Sequence, residues 1–384
     1  MSTTIKTPAP SNSIISNKSV PGLKNGMDYT KIGSSDLIVS KVCMGTMTFG
    51  NQNTIKEGVE QLNTAFDEYG INFLDTAELY PVPAKEETNG STDLTINEFL
   101  KGRKREDVIV ATKVAGRSDR LSFLRKNKDE EVRVNRAQIL ESVDASLQRL
   151  GTDYIDLLQI HWPDRYVPLF GSTDFTRSSI KDDDISFEEQ LSTFQELIDM
   201  GKVRYLGVSN ESPYGVSEMV HLAKSNPEKY AKIVSIQNSY SLLVRKDYEA
   251  GLAETCHYHD VGLLPYSPLA GGVLSGKYSD PDVPVGPNAR LKMFPGFMDR
   301  YLGSQAEAAT LEYVKIAKQA GLTPSQLALS WCYHREHVCS TIIGATQIDQ
   351  LKEDIESYDI KLDDDVITQI HGVYKKYTDP TKAY

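Results

Sequence analysis

Short, mostly apolar runs alternate along the chain with longer stretches whose apolar residues recur at helical spacing, the signature of βαβ units and a parallel sheet. The runs are Lys41–Gly45, Ile71–Asp75, Val108–Lys113, Tyr154–His161, Val203–Ser209, Ile233–Gln237, Val261–Tyr266 and Ser340–Gly344. Of the amphipathic helices between them, the clearest starts near Asn135, carries Ile139, Val143, Leu147 and Leu150 on one face, and stops at Gly151. Eight strand and helix pairs predict an α/β fold, a (β/α)8 TIM barrel. Ahead of them, Tyr29–Val39 alternates around the turn cluster Gly33-Ser34-Ser35-Asp36 and predicts an N-terminal β-hairpin outside the barrel count. Two segments lack repeat character, Asp164–Ile185 and Gly271–Gly303, and predict long functional loops on the C-terminal face.

Composition narrows this picture. The chain has 384 residues, 40% hydrophobic and 25% charged, ample for one large core. Residues 1–26 are rich in Ser, Thr, Asn and Pro and lack any acidic residue, which reads as a disordered N-terminal tail, with an organellar targeting peptide as the alternative. No second linker follows, so residues 27–384 read as a single barrel domain. Forty-two basic against 53 acidic residues leave a net charge of −11, which argues against nucleic-acid or anionic-membrane partners. No run approaches the roughly 20 apolar residues of a membrane helix, and the four scattered cysteines build no disulfide framework. A cytoplasmic protein, monomeric or a weak homo-oligomer, is expected. Cys332-Tyr-His-Arg-Glu-His-Val-Cys339 mimics a zinc site, but it spans a helix end and the entry to the last strand, which scatters the ligands, and no metal is expected. The runs Asp182–Asp184 and Asp363–Asp365 read as solvated loops or helix N-termini.

The candidate chemistry lies where polar residues interrupt the apolar runs. Asp75, Lys113, His161, Ser209 with Asn210, and Gln237 all fall near the C-terminal ends of their runs, and in a parallel barrel those ends converge on the face where active sites are built. Tyr80 follows Asp75 by five positions, close enough for its phenol to fold back over the strand end. A phenol is a poor acid at neutral pH unless its anion is stabilised. A neighbouring Lys113 ammonium would do that, Asp75 would keep the lysine charged and fixed, and His161 could hydrogen-bond a carbonyl oxygen. The set suits proton donation to an oxygen on which negative charge builds, the need of carbonyl reduction.

These four residues in their contexts resemble the catalytic tetrad of the aldo-keto reductase superfamily. Phe73-Leu-Asp-Thr-Ala-Glu-Leu-Tyr80, Leu150-Gly-Thr-Asp-Tyr-Ile-Asp-Leu157, Gly207-Val-Ser-Asn210 and Ile342-Ile-Gly-Ala-Thr346 carry the resemblance, which runs from about Tyr29 to Tyr377. Gly45-Thr-Met-Thr-Phe-Gly50 and the segment Gln159–Gly171 are most similar to the Tas-like branch of bacteria and plants. The resemblance implies NADPH extended over the C-terminal face, delivering hydride to an aldehyde or ketone. Tyr80 would be the general acid, Lys113 and Asp75 would tune it, and His161 would orient the substrate oxygen. Gly45, Thr46 and Met47 would border the cofactor, Ser209, Asn210 and Gln237 would hold the carboxamide, and Tyr266 would stack on the nicotinamide. Ser267, Leu269 and Lys277 would meet the pyrophosphate, and Gly344, Thr346, Gln350 and Asp354 the adenosine end. Many relatives place Lys and Arg around the 2′-phosphate where this chain has Ala345 and Gln350, so Arg290 is the candidate substitute and NADH use stays open. Trp162 and Tyr166, with Phe170, could wall the substrate pocket or anchor their loop.

Two rival readings remain at this stage. One is an NADPH-binding regulatory subunit that serves a partner, as in the potassium-channel β subunits, which resemble this architecture. The other is a different barrel enzyme with Lys113 as a Schiff-base lysine, which leaves Tyr80, Ser209, Asn210 and Gln237 without a role.

Overall fold

The computed structural model describes residues 26–382; the expected tail lies outside the described residues apart from Gly26. The chain begins with a hairpin, β1 (Tyr29–Lys31) and β2 (Ile38–Ser40), paired antiparallel with Tyr29 opposite Ser40. Eight parallel strands follow: β3 (Val42–Gly45), β4 (Phe73–Asp75), β5 (Ile109–Val114), β6 (Ile155–Ile160), β7 (Val203–Ser209), β8 (Ile233–Gln237), β9 (Gly262–Leu263) and β10 (Thr341–Ile343). They hydrogen-bond in the order β10-β3-β4-β5-β6-β7-β8-β9. The ring closes between its ends, where Cys339 N–H donates to Leu263 O and Ile342 N–H to Pro265 O, both at 2.9 Å. Pro265 has no N–H to give, which cuts β9 to two residues where the sequence pattern suggests six. The expected (β/α)8 barrel and its hairpin are both present.

Helices separate the strands as the periodicity requires. The helix Arg136–Leu150 begins where the Asn135 side chain accepts from Gln138 N–H and ends at Gly151 with φ +65°, a left-handed position that glycine fills without strain. Ile139, Val143 and Leu150 on its inner face are fully buried among β5, β6 and β7 side chains.

The hairpin closes the N-terminal mouth of the barrel. Ile32, Leu37 and Val39 pack with Cys43, Phe73, Leu157, Val234 and Leu264 from inside the ring. Gly33, at φ +46°, lies so close to the barrel that a Cβ there would stand 2.3 Å from Val234 O and 2.6 Å from Asp260 O.

At the opposite end lie the two long loops. Asp164 ties both ends of the first, because its carboxylate accepts from Arg133, from Val134 N–H at 2.9 Å and from Ile185 N–H at 3.0 Å. Asp183 is not simply solvated: it bridges the Arg117 and Arg133 guanidiniums. Asp363 behaves as expected and caps the helix Asp364–Lys376. The second loop is anchored by Tyr301, fully buried, and by Tyr278, whose hydroxyl accepts from Leu291 N–H at 3.1 Å. Among the described residues no helix is long and apolar enough to cross a membrane.

If the hairpin is seated as a plug, Gly33→Ala must push it off the barrel rim. Its cost should reach about 2 kcal/mol or more, read as a lower urea midpoint at unchanged slope. A variant that unfolds with the parent would show that the turn does not bear on Val234 and Asp260.

Candidate active site

Four of the barrel's strands bring polar side chains at their C-terminal ends into one buried group. Asp75 closes β4, Lys113 stands one residue before the end of β5, Gln159 one before the end of β6, and Gln237 closes β8. Lys113 is fully buried, and its Nζ donates to Asp75 Oδ1 at 2.5 Å and to Thr76 O at 2.8 Å. The other carboxylate oxygen, Oδ2, accepts from Gln237 Nε2 at 2.8 Å and from Gln159 Nε2 at 3.2 Å. Gly207 of β7 makes room for this layer, since a Cβ there would meet Ser235 Oγ at 2.3 Å and Gln159 Cγ at 3.1 Å. Gln237, expected on the cofactor, thus spends its amide N–H on Asp75. Gln159 was not anticipated. Its signal was available: a Gln inside an apolar run, two positions before His161 and therefore on the same strand face.

Tyr80 and His161 stand over this layer. The Tyr80 ring lies 5.0 Å from Lys113 Nζ and 5.8 Å from the His161 ring, edge to face. Burial raises the Tyr80 phenol above its ordinary value, while Lys113 and, further off, Arg290 pull it down. Burial alone would lower Lys113, but Asp75 and Tyr80 overcome it, so the ammonium is held charged. His161 is pushed well below 6.5, first by burial and then by the Lys113 charge. It is therefore a neutral imidazole at pH 7, and its buried Nδ1 has no hydrogen-bond partner, which leaves the ring polar capacity for a ligand.

The site opens into a cavity of about 1040 Å³ running from Tyr80 and His161 to Asp354. All fifteen residues expected at the cofactor line it. Around the Tyr80 and His161 end, Tyr266 OH donates to Asn210 Oδ1 at 2.7 Å, Asn210 Nδ2 donates to His161 O at 2.8 Å, and Ser209 Oγ donates to Gln237 O at 2.7 Å. This network locks the Tyr266 ring as one wall. Midway, Gly271 and Gly272 adopt φ +67° and +96°; a Cβ on Gly272 would crowd Lys277 Nζ at 3.1 Å, so glycine there keeps the ammonium facing the cavity. Lys277 is lowered by burial and by Arg290, and partly restored by Asp354. At the far end Asp354 is pushed up to about 8 by burial and by Glu353, against the pull of Lys277. Gln350 Oε1 accepts from Thr346 Oγ1 at 3.2 Å. Two half-buried cations lining the cavity, Lys277 and Arg290, and an unpartnered imidazole nitrogen at one end fit an extended dinucleotide.

The substrate residues divide. Trp162 lines the cavity, its Nε1 donating to Arg117 O at 2.9 Å and its ring 5.0 Å from His161. Tyr166 does not: its hydroxyl donates to Asp174 O at 3.1 Å and its ring packs on Phe175, contacts that stay within its own loop. Phe170 takes the wall instead, with the left-handed φ of +56° turning the backbone there. Among the described residues no three metal-capable side chains gather; His334 and His337 of the zinc-like segment bond Tyr358 O and Tyr240 OH separately.

Comparison with known proteins gives a consistent answer. The model of the Aldo/keto reductase family matches residues 41–375. Protein tas of Escherichia coli is 42% identical over 359 residues, covering 92% of this chain and 99% of that protein. An aldo-keto reductase of Babesia bovis is 41% identical over 288 residues, 72% of this chain and 98% of its own length. A probable voltage-gated potassium channel subunit beta of Arabidopsis thaliana is 31% identical over 335 residues, 87% and 92% of the two chains.

The neutral His161 makes a prediction about acid. Because its native proton affinity is lowered, the unfolded chain takes up the proton first, and stability is lost as pH falls below 6.5. His161→Gln removes that loss. Chemical denaturation at pH 7 and 5.5 should show a smaller drop for the variant than for the parent, whereas equal drops would mean His161 titrates normally when folded.

Proposed function

Since the chain belongs to the aldo/keto reductase family, and is thus an NADP(H)-linked oxidoreductase, we propose that it reduces the carbonyl of an aldehyde or ketone to an alcohol with Tyr80 as general acid. The observation that carries this reading is the Tyr80 phenol set beside a buried Lys113 ammonium that Asp75 holds in place. When bound, NADPH supplies the hydride. The chain's own residues do the rest. His161, neutral, donates a hydrogen bond to the carbonyl oxygen and polarises it without competing as an acid. Tyr80 gives its proton to that oxygen as negative charge develops, and Lys113 stabilises the phenolate left behind. Asp75 holds the Lys113 ammonium in place through their ion pair.

Lys277 and Arg290 would meet the cofactor phosphates. Arg290, expected from the sequence at the 2′-phosphate, acts electrostatically on both Tyr80 and Lys277, so we assign it to the pyrophosphate. Lys277, facing both Arg290 and Asp354, then becomes the nearer cation for the 2′-phosphate. Ser209 and Asn210 would hold the carboxamide beside the Tyr266 ring. The carbonyl compound enters between Trp162, Phe170, Leu79, Val82 and Leu121, a wall suited to an apolar or aromatic body. The alternative, an NADPH-binding subunit serving a partner as the plant channel-subunit relative's name suggests, would oxidise bound NADPH about once per site. An enzyme turns over.

Two measurements check this. With aldehydes, dicarbonyls and quinones, NADPH consumption should be catalytic in the parent and fall by about 10²-fold or more in Tyr80→Phe; equal rates in both would remove Tyr80 from the acid role. Lys277→Ala should weaken NADPH binding, read by nicotinamide fluorescence, more than NADH binding, and Arg290→Ala should weaken both alike. The reverse pattern would return the 2′-phosphate to Arg290.

A further inference from the structure

Tyr80 lies on the segment that leaves β4, beyond the last ladder pair, Asp75 opposite Ala111. Past that pair the backbone continues to be held as if the strand went on. Thr76 N–H donates to Ala111 O at 2.9 Å and Glu78 N–H to Lys113 O at 3.2 Å. The next rung is made by a side chain: Glu78 Oε1 accepts from Ala115 N–H at 2.6 Å. Glu78 precedes Tyr80 by two residues and Ala115 follows Lys113 by two, so this one carboxylate joins the acid's segment to the strand that carries its partner.

The carboxylate is also gripped from the other side. Arg125 forks onto it, Nη1 to Oε2 at 2.7 Å and Nη2 to Oε1 at 2.9 Å, with both residues only 3% exposed. Arg125 Nε in turn donates to Gln138 Oε1 at 2.9 Å on the helix behind. Burial alone would lower Arg125, but Glu78 outweighs it and holds the guanidinium charged. A bidentate fork in a dry setting fixes position in two directions at once. Arg125 also ends the short helical turn Ser122–Leu124, which follows Leu121 of the cavity wall.

We propose that Glu78, clamped by Arg125, is a positioning residue for the proposed reduction: it sets the separation of the Tyr80 phenol and the Lys113 ammonium and ties the Leu121 wall to them. The inference rests on the reductase reading for its consequence in turnover, but the separation itself can be read without it. The charges that act on Tyr80 are Lys113, Asp75 and Arg290. If the clamp is released, Tyr80 moves out of the close field of Lys113 and becomes a weaker acid.

The test incorporates 3-fluorotyrosine, whose phenol ionises in an accessible pH range, and follows the Tyr80 fluorine resonance, assigned by its loss in Tyr80→Phe. In Glu78→Met/Arg125→Met, which removes both buried charges together, the Tyr80 midpoint should rise by about one pKa unit, tenfold in acidity. Arg125→Lys, which keeps the charge but loses the fork, should give a smaller rise and carries the test if the double variant does not fold. In turnover, kcat should fall about tenfold while the NADPH dissociation constant stays within about twofold. A Tyr80 midpoint unmoved or lowered in the folded variants overturns the proposal, whatever happens to their thermal stability. A parent with no carbonyl turnover overturns the reductase reading instead, and the fluorine titration still decides the clamp.

Discussion

The ion pair of Lys113 and Asp75 is the constraint on which the site depends. Two opposite charges sit in a region closed to solvent, where each alone would carry a desolvation penalty of several kcal/mol. They persist because both are closely hydrogen-bonded: Lys113 Nζ to Asp75 and Thr76 O, Asp75 Oδ2 from Gln237 and Gln159. A charged lysine under a phenol is then a fixed feature of the fold, and the tuning of Tyr80 follows from it. The same charge lowers His161, so one cation acts on both groups above it, pulling the Tyr80 phenol down and keeping the imidazole neutral.

The rest of the barrel serves to hold that pair at one end and leave room above it. The hairpin fills the opposite mouth with Ile32, Leu37 and Val39, so the polar layer rests on a packed apolar one. The loops over the cavity are tied by ionic contacts, Asp164 with Arg133 and Asp183 with Arg117, on a segment whose Trp162 packs on His161 and whose Phe170 lies under the Arg300 guanidinium in the cavity wall.

Much of this was readable from residue order. Strands buried on both faces must be nearly all apolar, so all eight runs stood out, and a polar residue at a run's C-terminal end could only face the site. Residue order is silent where position is not set by period. Tyr166 and Phe170 share one loop, and which of them turns inward depends on the left-handed backbone at Phe170, which no side-chain pattern encodes. Gln159 was overlooked because a single amide in an apolar run reads as an exception until His161 shows which face it shares. Arg290 was expected at the 2′-phosphate, and only folding shows it close enough to act on Tyr80. Asp183 looked solvated because its arginines lie 50 and 66 residues away.

In the proposed reduction the buried pair tunes Tyr80 and does not serve to hold the barrel together. Asp75→Asn/Lys113→Met removes both charges at once, a change that buried pairs often tolerate without loss of stability. The decisive measurement is single-turnover hydride transfer from bound NADPH to a carbonyl substrate in this variant, alongside its NADPH affinity. The account predicts a folded protein that binds NADPH within a few-fold of the parent and transfers hydride about 10³-fold more slowly. Transfer at the parental rate would contradict it.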